Sequence, residues 1–181
     1  MKRTHIIMAL TLLMVFLSFS CGSNSRRIDG NVPASVKRAV SSVPDDALVG
    51  IGTSRLLSSM SLSRTVAHAR AIAHISLQLQ AVVSRVVADY TITEEANSDS
   101  EITLRETVTS TVSESRIANA LIVHESYVGR QYWVVVMLER DDAKAEIMSA
   151  SESAIGLIPS ADAVTLALEQ QSKATIVVSG N

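Results

Sequence analysis

Apolar and polar positions follow three different rhythms along this chain, and each rhythm predicts an element. From Ile6 to Phe19 the sequence is almost continuously apolar over 14 residues, with Lys2 and Arg3 ahead of it and Ser18-Phe19-Ser20-Cys21 at its end. A helix that crosses the hydrocarbon core needs about 20 apolar residues, so the run fits the apolar region of an export signal. From Ser61 to about Tyr90 a different pattern holds. Ile72, Ile75, Leu79, Val82 and Val86 recur at spacings of three and four, which places them on one stripe of a long helix. Ala67, Ala69, Ala71 and Ala73 near its start would allow a close neighbour. The third rhythm has period two. Ala118 to Val128 and Gln131 to Glu139 flank Gly129-Arg130, the spacing of a two-residue hairpin. Regular pairing across that turn puts Leu121, Val123 and Tyr127 on one face with Tyr132, Val134, Val136 and Leu138, and Glu125 is the only charge there. Ile122, His124 and Ser126 share the opposite face with Trp133, Val135 and Met137.

Shorter patterns fill the remainder. Residues 21–34 are polar with Gly and Pro and read as a tether; Ala34 to Ser42 reads as a short helix. Ala47 to Thr53 reads as a short buried strand interrupted by glycines. Gly50-Ile51-Gly52 lacks a third glycine and no Gly-Lys-Ser/Thr follows, so close packing or a bulge in the strand explains it better than a phosphate loop does. Thr93 to Ser100 is a polar break. Residues 101–115 are ambiguous. Leu104, Val108 and Val112 at four-residue spacing, behind Asp99 or Ser100 as a cap, favour helix. The many threonines would suit a strand. Asp141 to Ile155 reads as a helix opening on acidic residues, Pro159 breaks the chain, Ser160 to Gln171 reads as helix, and Ala174 to Ser179 as a last strand.

The end of the first apolar run carries the most specific chemistry. A cysteine placed directly after a small residue there is what a bacterial lipoprotein signal requires: the thiol takes a diacylglyceryl group and the peptide is cut before it. Cys21 is the only cysteine of the chain. The position three residues earlier, where such signals usually carry Leu, is Ser18, with Leu17 one step further back. Ser18 and Ser20 would also satisfy an ordinary small-x-small cleavage site, and an uncleaved anchor is a third outcome. Gly22-Ser23-Asn24-Ser25 favours lipidation, being the composition of a tether. Gly22 is not the aspartate that retains many such proteins at the inner membrane, which points to the outer one.

Composition narrows the classes. The first 20 residues hold two of the 16 basic residues and none of the 18 acidic ones, so the remaining 161 carry a net charge of −4. That length suits one domain with a real core. No basic cluster lies beyond Arg26-Arg27, so nucleic-acid binding has no electrostatic footprint. A lone cysteine excludes an internal disulfide. His68 and His74 are six apart and point to different sides of a helix, which makes them poor joint metal ligands. No serine stands in Gly-x-Ser-x-Gly or Ser-x-x-Lys with a recognisable base, while Ser151-Glu152-Ser153 and Asp141-Asp142 read as solvated helix positions. These readings predict no catalytic residue, no cofactor and no metal.

A lipidation cysteine, the Gly-rich strand Leu48-Val49-Gly50-Ile51-Gly52, the alanine-rich helix Ala67-His68-Ala69-Arg70-Ala71-Ile72-Ala73 and the second hairpin strand Tyr132-Trp133-Val134-Val135-Val136 occur in that order. In this order they resemble the LPP-twenty family of small bacterial envelope lipoproteins, over roughly residues 46–140. The turn at Gly129-Arg130 is shorter than the family's usual one, and residues 141–181 lie outside the match. The resemblance implies an α+β fold in which a long helix packs on a small antiparallel sheet built on the central hairpin, with additional C-terminal helices read from the sequence. It implies structural or assembly work at the outer membrane and carries over one functional position, Cys21. The expected organisation is a signal peptide over 1–20, an anchor and tether over 21–45, the α+β domain over 46–140 and a helical extension over 141–181.

The expected partners are the membrane, through the lipid, and proteins of the envelope, including a second copy of the chain, with the domain facing periplasm or cell surface. Trp133, Val135 and Met137 are the candidate interface: their face is either covered by one of the chain's own helices or exposed as a docking patch. The competing functions are a lipoprotein that holds or carries a small apolar ligand in a cleft under the long helix, and a regulator of an envelope enzyme.

Overall fold

The computed structural model describes residues 28–93, 117, 119–155, 159–174 and 176–177. Its centre is a three-stranded antiparallel sheet of β2 (Leu48–Arg55), β3 (Leu121–Val128) and β4 (Gln131–Leu138), in the order β2-β4-β3. One face carries the long helix α2 (Met60–Thr93), and the other carries the short helix α1 (Ala34–Ser41). Helices α3 (Arg140–Ile155) and α4 (Ala161–Ser172) follow the sheet, and β5 (Ile176–Val177) pairs in parallel with β1 (Ile28–Asp29). The chain is therefore an α+β protein with a long helix on an antiparallel sheet. The segment 101–115, whose helix or strand character the sequence left open, lies outside the described residues, as does Cys21.

The sheet separates two cores. On the α2 side, Leu48, Val134, Val136 and Leu138 meet Ala67, Ala71, Ile75 and Leu79. On the α1 side, Val49, Ile51, Trp133 and Val135 meet Val32, Val36, Val40 and Val43. The split follows from the period-two geometry of β2 and β4, where neighbours along a strand face opposite ways. Strand β4 is apolar on both faces because both are covered.

Length explains the C-terminal helices. A helix of 34 residues extends about 51 Å, whereas a strand of eight residues spans about 26 Å. Half of α2 overhangs the sheet, and Val82, Val83 and Val86 on its far half are buried in the core cluster that also holds Val164, Ala167 and Leu168 of α4 and Ala143, Ile147 and Ala150 of α3. Lys144 Nζ donates to Thr165 Oγ1 at 3.1 Å, tying α3 to α4. The packing thus continues through residue 140 without a boundary, and α1 places residues before 46 in the second core. The expected tether over 21–34 is also revised. Ile28 and Asp29 form a strand, and Val32 is buried.

Local chemistry starts and stops the elements. Ser59 Oγ accepts the Leu62 N–H at 3.0 Å and caps α2. Asp141 and Asp142 lie in the first turn of α3, where the helix dipole favours negative charge. Ser151, read as solvated, is buried and donates to the Ile147 carbonyl at 2.8 Å. The hairpin turn takes φ +62° at Gly129 and +63° at Arg130, as a two-residue turn with both central residues left-handed demands. Glycine adopts this freely; arginine does so at a cost.

Strand β3 departs from regular alternation. Its register slips between Ile122 and His124, where Val123 forms a bulge. Ile122 then pairs with Val136, and Leu121 with Met137. The expected grouping of Leu121 and Val123 with the α2 face is therefore incorrect: Val123 packs against the α1-side core, and Ile122 has moved to the α2 side. Tyr127 and Glu125 remain where regular pairing put them, opposite Tyr132 and Val134.

Candidate functional site

The candidate interface is an interior surface. Trp133 is 3 % exposed, Val135 is fully buried and Met137 is partly buried, all under the valines of α1. The exposed-patch alternative is thereby replaced by the other one weighed for this face, cover by a helix of the chain itself. What this layer does hold is unpaired polarity. Thr53, Trp133 and Ser126 form one cross-strand row, and His124 stands one row away beside Val135. Thr53 Oγ1, Trp133 Nε1, Ser126 Oγ and His124 Nε2, with Ser35 Oγ from α1, are buried without a hydrogen-bond partner among the described residues. Because His124 Nε2 and all three hydroxyls lack partners there, these groups do not form a nucleophile–base pair among those residues.

Where the first half of α2 crosses β2, the space in which a ligand cleft was the competing expectation is closed by backbone. A Cβ placed on Gly50 would collide with the Ala71 carbonyl and lie 2.9 Å from Ile75 Cγ1. One placed on Gly52 would collide with the Ala67 carbonyl and lie 2.5 Å from the Ala71 nitrogen. Two glycines on the strand and two alanines on the helix bring the layers into direct contact. Of the four alanines noted in sequence, Ala67 and Ala71 make this contact, while Ala69 and Ala73 face outward.

Helix α2 also seals the outer edge of β2. Arg70 Nη1 donates to the Thr53 carbonyl at 2.7 Å, and Gln78 Nε2 donates to the Val49 carbonyl at 2.7 Å. Between them, the Ile51 N–H donates to His74 Nδ1 at 3.3 Å. The match is geometric: four residues of helix rise about 6 Å, close to the 6.6–6.8 Å of two strand residues. Helix positions 70, 74 and 78 therefore meet strand positions 53, 51 and 49 in antiparallel order. Burial holds the His74 pKa below the ordinary imidazole value, and accepting an N–H at Nδ1 requires an unprotonated nitrogen. Sequence reasoning missed this set; polar residues at i, i+4 and i+8 on an otherwise small-residue helix face were its only signal.

The end of the sheet at the hairpin is built differently. Leu56 N–H donates to the Arg130 carbonyl at 3.1 Å and Leu57 N–H to Ser63 Oγ at 2.9 Å, fixing the loop into α2 against the turn. Arg55, Leu56, Tyr127, Gly129, Arg130 and Gln131 line an open groove of about 640 Å³. Glu125, the single charge of the α2 face, meets Arg64 Nε at 2.8 Å. Its carboxylate raises the Arg64 pKa by hydrogen bond and charge.

Comparison with protein-family models, curated proteins and solved structures gives no match. Among the described residues, no group of three or more His, Cys, Asp or Glu side chains is placed to hold a metal ion, and no helix is long and apolar enough to cross a membrane.

Proposed function

We propose that this chain is a lipid-anchored structural or assembly protein of the bacterial cell envelope, held at the outer membrane through Cys21. The observation that carries the reading is the order Lys2-Arg3, a 14-residue apolar run, Ser20 and then the only cysteine. The resemblance to the LPP-twenty lipoproteins supports it, and the α+β architecture is the one that resemblance implies. The direct backbone contact at Gly50 and Gly52 favours assembly over a carrier with a cleft beneath the long helix. In this role the anchor sets location and the folded domain presents a surface to its neighbours.

The test is metabolic labelling with a fatty-acid analogue in wild type and Cys21→Ser, followed by separation of inner and outer membranes. Label that disappears in the variant and tracks with the outer membrane is the expected result. A soluble, unlabelled product beginning at residue 21 would overturn the proposal.

A further inference from the structure

Three regions hold features that the proposed role leaves unexplained: the polar row under α1, the outer edge of β3 and the hairpin end. The polar row is sealed, and nothing shows what covers the β3 edge. The hairpin end carries two independent observations, one apolar and one electrostatic.

Six of the ten exposed large apolar side chains of the described structure gather there: Leu56, Leu57, Met60, Leu62, Tyr127 and Val128. They are between 40 % and 50 % exposed. They come from three segments joined by hydrogen bonds from Leu56 to the Arg130 carbonyl and from Leu57 to Ser63. The patch is thus set on a rigid frame. Its charge is one-sided. Residues 47–88 contain four arginines and no Asp or Glu, in a chain whose net charge is negative. Neither 54–64 nor 126–132 contains a carboxylate. Glu125, just inside the patch, is engaged by Arg64 at 2.8 Å, which leaves Arg55 and Arg130 flanking the groove.

We infer that this end is a membrane-docking surface that rests on a bilayer containing anionic lipid. Leucines and methionine would enter the boundary between headgroups and acyl chains, with Tyr127 at headgroup level and Arg55 and Arg130 against phosphate. Apolar area and attraction to anionic lipid act together in such surfaces, and aromatic side chains favour the interface. The inference deepens the proposed function and rests on it for the reach of the anchor. The six residues between Cys21 and Ile28 allow a reach of at most about 25 Å, comparable to the length of the sheet. An anchor at Cys21 therefore keeps the domain against the bilayer, and the patch fixes which end faces it.

The test uses the full chain purified with its native amino terminus and reconstituted into vesicles of phosphatidylethanolamine with phosphatidylglycerol, or of phosphatidylcholine alone. An environment-sensitive fluorophore is placed at Leu57→Cys or, as a control on α4, at Leu166→Cys. With the first lipid mixture, emission at position 57 is expected to rise about threefold, shift to the blue and be quenched by spin-labelled lipid; emission at 166 is not. Arg55→Glu with Arg130→Glu, or high salt, should remove at least about half of that quenching. Equal quenching at both positions, or none at 57, would overturn the inference. So would a blue shift that grows with protein concentration without vesicles, which would assign the patch to a second copy. The anchor is read separately, from the mass of the amino-terminal peptide. If Cys21 proves unacylated, vesicle co-sedimentation of the Cys21→Ser chain decides: binding lost with Arg55→Glu and Arg130→Glu upholds the docking surface, and no binding overturns it.

Discussion

Gly52→Ala tests the contact on which the architecture turns. The added Cβ would collide with the Ala67 carbonyl and sit 2.5 Å from the Ala71 nitrogen. Ordinary carbon contacts lie near 3.5–4.0 Å, so helix and strand would have to separate by about 1 Å or more. The obstructing atoms are helix backbone, and no side-chain rotamer relieves them. Overpacking of this kind costs about 1–3 kcal/mol. The separation also stretches the Arg70–Thr53 and His74–Ile51 hydrogen bonds, each worth roughly 0.5–1.5 kcal/mol. Against this, alanine restricts the unfolded chain and returns about 0.4–1 kcal/mol. The net expectation is a loss of about 2–4 kcal/mol, read from urea unfolding followed by far-ultraviolet circular dichroism, with the slope unchanged. For a domain of this size that is a fall in Tm of about 4–16 °C. Ala67→Gly should not rescue it, because the clash is with the carbonyl oxygen and not with a methyl group. A Gly52→Ala protein within about 0.5 kcal/mol of wild type would refute the close contact, since surface changes fall in that range.

Other substitutions test other layers. Trp133→Ala should cost about 3–5 kcal/mol in denaturant unfolding and leave the oligomeric state by light scattering unchanged; a change of oligomeric state without loss of stability would restore the interface reading. Thr53→Val removes a buried hydroxyl that has no partner among the described residues, so it should be neutral or stabilising by up to about 1–3 kcal/mol. A loss above about 1 kcal/mol would show that the hydroxyl is hydrogen-bonded in solution. His74 has a folded-state pKa below its ordinary 6.5, so the unfolded chain takes up the proton first as pH falls. Its contribution to stability is complete above about 6.5 and declines as pH drops toward the folded pKa. Stability measured from pH 7.5 downward should fall less steeply in His74→Gln, whose amide oxygen can accept the Ile51 N–H without titrating; an unchanged slope would place the pH dependence elsewhere.

How much of this was legible beforehand differs from element to element. Stripes at spacings of three and four gave the long helix to within a few residues, and two valine-rich runs around Gly129-Arg130 gave the hairpin, because local periodicity reports which side of an element is buried. The glycines of β2 and the alanines of α2 were each legible as sites of close approach, though not that they would meet each other. The bulge at Val123 left no such mark. A period-two pattern that is apolar on both faces reads the same before and after a one-residue slip.

The sequence by itself determined the α+β content, the long helix, the hairpin and the two C-terminal helices, and it is the sole ground for the proposed export signal and its cysteine. Those follow from residue type and spacing, which act over one or two turns of chain. Only the tertiary structure decided that α1 covers Trp133, that α4 completes the overhang of α2, and that Ile176 returns to pair with Ile28. It also decided that Arg70, His74 and Gln78 close the edge of β2 while the leucines after Arg55 remain in the open. These outcomes depend on lengths and directions of elements distant in sequence. The burial of a side chain is set by what arrives opposite it, and that partner is recorded elsewhere in the chain.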